Sequence, residues 1–178
     1  MCMRRLVFLL VLGLALPAPA AAQQTSGLGQ PATPDQIQRE NIDVRPDGQG
    51  LPDGSGTAAD GQPIFAQKCA GCHGASGEGT QSGPRLVDPT PFKVGANQPT
   101  IGNYWPYATT VWDYIHRAMP FDAPGSLSNE EVYALTAYLL AQNGIIGGDD
   151  RMDAQSLPAV QMPNRPSFTA PDPRPDVP

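Results

Sequence analysis

Apolar and polar residues follow a helical spacing in three central stretches of the chain, and no segment keeps the two-residue alternation of a strand. In DGQPIFAQKCAGCH, Asp60 to His73, the residues Ile64, Phe65, Cys69 and Cys72 share one face. Asp60 is placed to cap this helix, and Pro63 falls early, where backbone donors lack partners anyway. A second helix is predicted over TTVWDYIHRA, with Thr110 as cap, Asp113 three residues on, and Val111, Trp112 and Ile115 as its apolar face. It ends before Pro120. The clearest is SNEEVYALTAYLLAQNG: Ser128 and Glu131 form a capping box, Val132, Leu135, Tyr138 and Leu139 turn inward, and Asn143 and Gly144 stop the helix. The pattern predicts an all-α fold of three to four helices.

Both flanks lack such a pattern. Residues 23–56 are rich in Gly, Pro and Asp, with one short helix expected at TPDQIQRE, where Thr33 caps, Pro34 starts and Gln36 completes the box. Residues 148–178 carry seven prolines and few apolar side chains. Met152 and Met162 in this tail are expected to be exposed. Segments of this kind cannot bury enough surface to fold alone, so they read as linkers or as arms laid over a partner. The expected layout is a leader at 1–22, an extended arm at 23–56, a central domain at 57–147 and a Pro-rich tail at 148–178.

At the N-terminus Arg4 and Arg5 precede the apolar run LVFLLVLGLALPAPA, and small residues follow up to Ala22. This is the pattern of a cleaved export signal, and the run is too short and too Pro-broken for a spanning helix of about 20 apolar residues. The expectation is a periplasmic protein with no membrane span after processing. Cleavage removes two arginines and no acids, leaving nine basic against 17 acidic side chains. Such an acidic chain is no candidate for nucleic-acid binding.

Cleavage also removes Cys2, so the mature chain holds two cysteines, both inside Cys-Ala-Gly-Cys-His, residues 69–73. A thioredoxin-like redox pair would follow a β-strand, and none precedes it. A structural zinc site needs about four ligands, against Cys69, Cys72, His73 and His116 here. The remaining reading is c-type haem attachment: both thiols add to one haem, and His73 ligates the iron. Met119 in YIHRAMPFDAPG then becomes the candidate sixth ligand, because Pro120 ends its helix and turns the chain. His116 is a competing ligand, read as a surface or interface residue. Arg85, Tyr104, Trp105 and Tyr107 are candidates for contact with the haem propionates, Arg85 and Trp105 first among them.

The run GQPIFAQKCAGCH, with SGPRL, RAMP and the capped last helix, resembles the class I cytochromes c over Thr57 to Gly147. The resemblance implies a small helical fold wrapped around one covalent haem c, with Gly61, Phe65 and Tyr138 where the first and last helices cross. It also implies that the Pro84 carbonyl accepts the Nδ1 proton of His73 and that Leu86 packs on the haem. Over the flanks, GLGQPATPDQIQRENIDVRPDGQGLPDGSGTAADG, TIGNYWPYATTVWDYIHRAMPFDAPGSL and SLPAVQMPNR are similar to the cytochrome c subunit of Sox-type sulfane dehydrogenases and related sulfite dehydrogenases. Those subunits serve a molybdenum-containing catalytic subunit. The Sox subunit usually has a second haem domain, and this sequence has one Cys-x-x-Cys-His, so both reactions stay open. The expected function is transfer of single electrons from such a subunit to a downstream periplasmic cytochrome or other acceptor, with no bond chemistry of its own. A free electron shuttle and a haem enzyme with a displaceable sixth ligand are the alternatives.

Overall fold

A computed structural model describes residues 29–168. The expected leader, the first residues of the arm and the last of the tail lie outside that range. Among the described residues five α-helices dominate: α1 (Pro34–Glu40), α2 (Ala58–Lys68), α3 (Ala70–His73), α4 (Ala108–Ala118) and α5 (Asn129–Gln142). Two three-residue strands, β1 (Ser55–Thr57) and β2 (Arg151–Asp153), pair antiparallel with Gly56 opposite Met152. Among the described residues no helix is long and apolar enough to cross a membrane.

The helix ends follow local chemistry, with two corrections. Thr33 with Gln36, and Ser128 with Glu131, form the expected capping boxes. The cap of α2 is Thr57, three residues before the expected Asp60, which instead sits at the third helical position and closes the box by accepting the Thr57 backbone N–H at 3.0 Å. Thr57 also ends β1, so the strand hands the chain directly to the helix. Pro63 consequently lies in the interior of α2 and costs it one backbone hydrogen bond. In α4 the N-cap is Tyr107, with no side-chain cap, where Thr110 was expected. Ala108 and Thr109 are buried, so packing carries the helix back past the better capping residue.

The core is built on α5, whose residues Val132 to Leu140 are all buried. Helix α2 crosses it closely, and glycine makes the approach possible: a Cβ on Gly61 would lie 2.1 Å from the Ala134 carbonyl oxygen. Phe65 and Tyr138 meet beside this crossing with ring centroids 5.1 Å apart. Trp112 of α4 packs on Tyr133 at 5.4 Å.

The flanks take part in this packing. Met152 and Met162, expected to be exposed, are 5% and 3% exposed, and Leu157 between them is fully buried. Pairing of β2 with β1 carries the tail back onto the core, where three apolar anchors suffice although the segment as a whole is polar. On the other side Val44 and Leu51 pack against the core, and the Val44 N–H donates to Asp113 at 3.2 Å. Apolar packing therefore continues across the expected borders at residues 57 and 147.

Candidate functional site

Cys69 ends α2, its N–H donating to Phe65 at 2.9 Å, and the single turn of α3 presents Cys72 and His73 directly afterwards. The chain then turns through a glycine-rich loop. Leu86 and Val87 both donate their N–H to the Gly77 carbonyl, at 2.8 and 3.0 Å, and Gly79 donates to the carbonyl of His73 at 2.7 Å. At Gly79, φ is +86° and a Cβ would lie 2.7 Å from the Arg85 nitrogen, so a side chain is excluded on both counts. The loop brings Pro84 back to His73, whose Nδ1 lies 2.8 Å from the Pro84 carbonyl oxygen. A carbonyl only accepts, so Nδ1 carries a proton, and in the neutral ring Nε2 is the nitrogen that keeps its lone pair.

Cys69, Cys72, His73, Pro84, Leu86 and Met119 all line one cavity of about 430 Å³. Its remaining walls are largely apolar, with Phe65, Ile115, Leu127, Leu135 and Leu139 among them. Met119 follows the last residue of α4, with its N–H on Ile115 at 3.0 Å. Beyond it Pro120 and Phe121 form part of the cavity rim, and Phe121 is 85% exposed. Met152 and Met162 do not line the cavity.

The residues fit a covalently held haem and fit neither alternative. Burial pushes the Cys69 thiol up to about 11, against a smaller opposing pull from Lys68, whereas the attacking thiol of a redox pair is held low. Among the described residues no three His, Cys, Asp or Glu side chains converge as a metal site, which leaves zinc without a ligand set. An apolar cavity with two thiols on one wall, a histidine of fixed tautomer and one thioether is what a thioether-linked haem requires.

Other expected contacts do not reach this cavity. Arg85 donates to the Glu78 carbonyl at 3.2 Å and lies 3.5 Å from Asp88, both available at once because the loop folds back on itself. Trp105 stacks edge-on against Tyr114 at 5.6 Å. Tyr104 packs between Phe92 and Phe168, and Tyr107 lies under the Arg165 guanidinium. His116, expected at the surface or at an interface, is half-buried, stacked on Trp112 at 4.7 Å, and lines no part of the cavity. Sequence periodicity placed Ile115, Leu135 and Leu139 inward without distinguishing core from cavity wall. Leu127, Phe121 and Lys68 at the cavity were missed, the last paired with Glu131 at 3.0 Å.

These features define a c-type haem protein. Residues 58–143 match the cytochrome c family. A chain of the crystal structure of the sulfane dehydrogenase SoxCD from Paracoccus pantotrophus is 43% identical, with a TM-score of 0.73 over 84% of this chain and 74% of that one. The chain belongs to the cytochrome c family, which binds haem c covalently and transfers electrons. Thiosulfate dehydrogenases are also similar, that of Stutzerimonas stutzeri (strain A1501) at 32% identity over 93 residues and that of Psychrobacter arcticus at 33% over 84. Those matches cover 49% and 44% of this chain but only 28% and 24% of the relatives, so the chain spans about a quarter of their length.

Proposed function

We propose that this protein is a periplasmic single-electron carrier that takes electrons from a molybdenum-containing sulfane or sulfite dehydrogenase subunit and passes them to another carrier. One haem c would be attached through Cys69 and Cys72, with His73 and Met119 as the side chains that would hold its iron. The observation that carries this reading is the convergence of those four side chains on one apolar cavity. The likeness to the SoxCD chain, which extends well beyond the family match, supports the sulfur-oxidising partner. The leader-like N-terminus supports export.

When bound, the haem supplies an iron that alternates between ferric and ferrous states. The chain's residues hold that couple in place and set its poise. Cys69 and Cys72 fix the group covalently. His73, with Nδ1 bonded to the Pro84 carbonyl, offers a more basic Nε2, which favours the ferric state. The neutral thioether of Met119 pulls toward the ferrous state. Leu86, Leu135 and Leu139 keep water from the interior, and the rim near Phe121 gives a partner access.

Docking is assigned to the part of the arm that the packed body does not use. Val44 and Leu51 belong to that body and the Ile42 carbonyl accepts from Arg117 at 3.1 Å, whereas α1 stands outside it with Ile37 56% exposed. Removing residues 23–41 from the mature protein should leave the haem spectrum unchanged and slow reduction by the dehydrogenase subunit by tenfold or more, an estimate that takes about 1.4 kcal/mol as a decade. Stopped-flow reduction of full-length and truncated protein by that subunit, driven by sulfite or a protein-bound sulfane, measures it. Equal rates would favour a free shuttle.

A further inference from the structure

We propose that Asn143 is a positioning residue for His73, acting through the loop segment Pro84–Asp88. The proposal rests on His73 being the histidine ligand of the haem.

Asn143 is 5% exposed, and three of the four hydrogen-bonding directions of its amide are filled. Its Oδ1 accepts the Asp88 N–H at 3.0 Å, while Nδ2 donates to Leu139 at 2.8 Å and to Leu86 at 3.3 Å. A flipped amide would face a donor with a donor and two carbonyls with an acceptor, so the orientation is fixed by its partners. Ending α5 does not require this. Gly144, with φ of +68°, makes the chain reversal, and the bond to Leu139 alone would close the last turn. The other two bonds reach 55 and 57 residues back along the chain.

Their targets decide the role. Leu86 and Val87 are already pinned to Gly77 through their N–H groups, leaving the Leu86 carbonyl and the Asp88 N–H for Asn143. The segment is therefore clamped between the Gly77 turn and the end of α5, and the Pro84 carbonyl is aimed from it at His73. Gly102 backs the amide: a Cβ there would lie 2.1 Å from Asn143 Oδ1. The small residue at 102 is what leaves room for the clamp. Loosening it should lengthen the His73 to Pro84 bond, lower the basicity of Nε2 and shift the couple toward the reduced state.

Asn143→Ser removes the clamp. Thr136→Val serves as the control, because Thr136 is equally buried on α5 and its hydroxyl donates only to Val132, at 2.7 Å. In the oxidised holoprotein, hydrogen exchange of the paramagnetically shifted His73 ring N–H is followed by NMR, and the oxidised-to-reduced ratio is read at a fixed poise. Asn143→Ser should speed exchange about tenfold and lower the ratio several-fold, while Thr136→Val changes thermal stability alone. Should Asn143→Ser fail to fold, Asn143→Asp keeps the shape and the bond from Asp88, loses both donations, and carries the same comparison. Unchanged exchange and ratio, or equal changes in the control, would overturn the proposal. A wild-type holoprotein without a paramagnetically shifted His73 ring N–H would instead overturn the ligand reading beneath it.

Discussion

His73 and Met119 line the same cavity, yet the chain around each is built differently. The histidine is 9% exposed, follows the two cysteines within one turn, and is bonded through its ring to Pro84 and through its carbonyl to Gly79. Met119 is half-buried, is held by the last turn of α4, and leads into a surface turn where Ala123 donates to Pro120 and Phe121 is exposed. One side is held by several hydrogen bonds and, in the proposed reading, by two thioether ties as well, the other placed by a helix end alone. The difference predicts that the histidine side carries the fold and the methionine side carries the tuning.

The strongest way to break that division is to cut the covalent ties. With Cys69 and Cys72 both changed to alanine, haem is no longer retained and the cavity is left without its filling. At about 24 cal/mol per Å³, a void of about 430 Å³ costs on the order of 10 kcal/mol. That is an upper bound, since the open rim admits water, but it matches the whole stability of a typical domain, about 5–15 kcal/mol. The variant should show no cooperative thermal transition by circular dichroism. A cooperative, haem-free fold would mean that α2 and α5 stand without the histidine side's contents.

Met119→Ala should be milder for the fold and decisive for the spectrum. The weak red-end band from sulfur to ferric iron should vanish, because Met152 and Met162 lie in the core away from the cavity and cannot replace the thioether. Loss of the soft ligand should raise the oxidised-to-reduced ratio at fixed poise by about two decades, each decade being about 59 mV. His116 lines no part of the cavity, so water is expected to take the vacated position. A bis-histidine spectrum would show that α4 rearranges, and the two sides would then differ less than their contacts suggest.

What the sequence disclosed depended on how local the determinant was. Cys69, Cys72 and His73 fall within five residues, Ser128 and Glu131 within four, and Met119 precedes a helix-breaking proline; each was readable in a short window. The burial of Met152 and Met162 rests on pairing of β1 with β2, nearly a hundred residues apart, and no window holds both strands. Asn143 was legible as a helix stop, and only the folded chain shows its amide on Leu86 and Asp88. Arg85 and Trp105 have chemistry suited to propionates, and the fold shows Arg85 bonded to the Glu78 carbonyl and Trp105 packed on Tyr114. Composition likewise marked the flanks as polar without showing that a few anchors tie them down.

A finer test probes the histidine side by pH. Glu78, in the loop after His73, accepts N–H groups of the turn that contains it, including that of Ser76 at 2.8 Å, and these bonds hold its carboxyl below the usual value of 4.5; the charge of Arg85 adds a smaller pull. Its carboxylate also fills the space where a Cβ on Gly74 would lie, at 2.4 Å, so the turn is folded around the charged group. A carboxyl depressed in the folded state contributes stability that is whole above its unfolded value and fades as pH falls through the folded one. Glu78→Gln should therefore lower the thermal midpoint at neutral pH by a few degrees at most, as expected for an exposed site. That gap should hold while pH stays above the usual carboxyl value of 4.5 and close as pH falls below it, as the wild-type carboxylate protonates. If the Glu78→Gln deficit persists undiminished in acid, the turn is held by shape rather than charge, and the histidine side owes its rigidity to the glycines and to Asn143 alone.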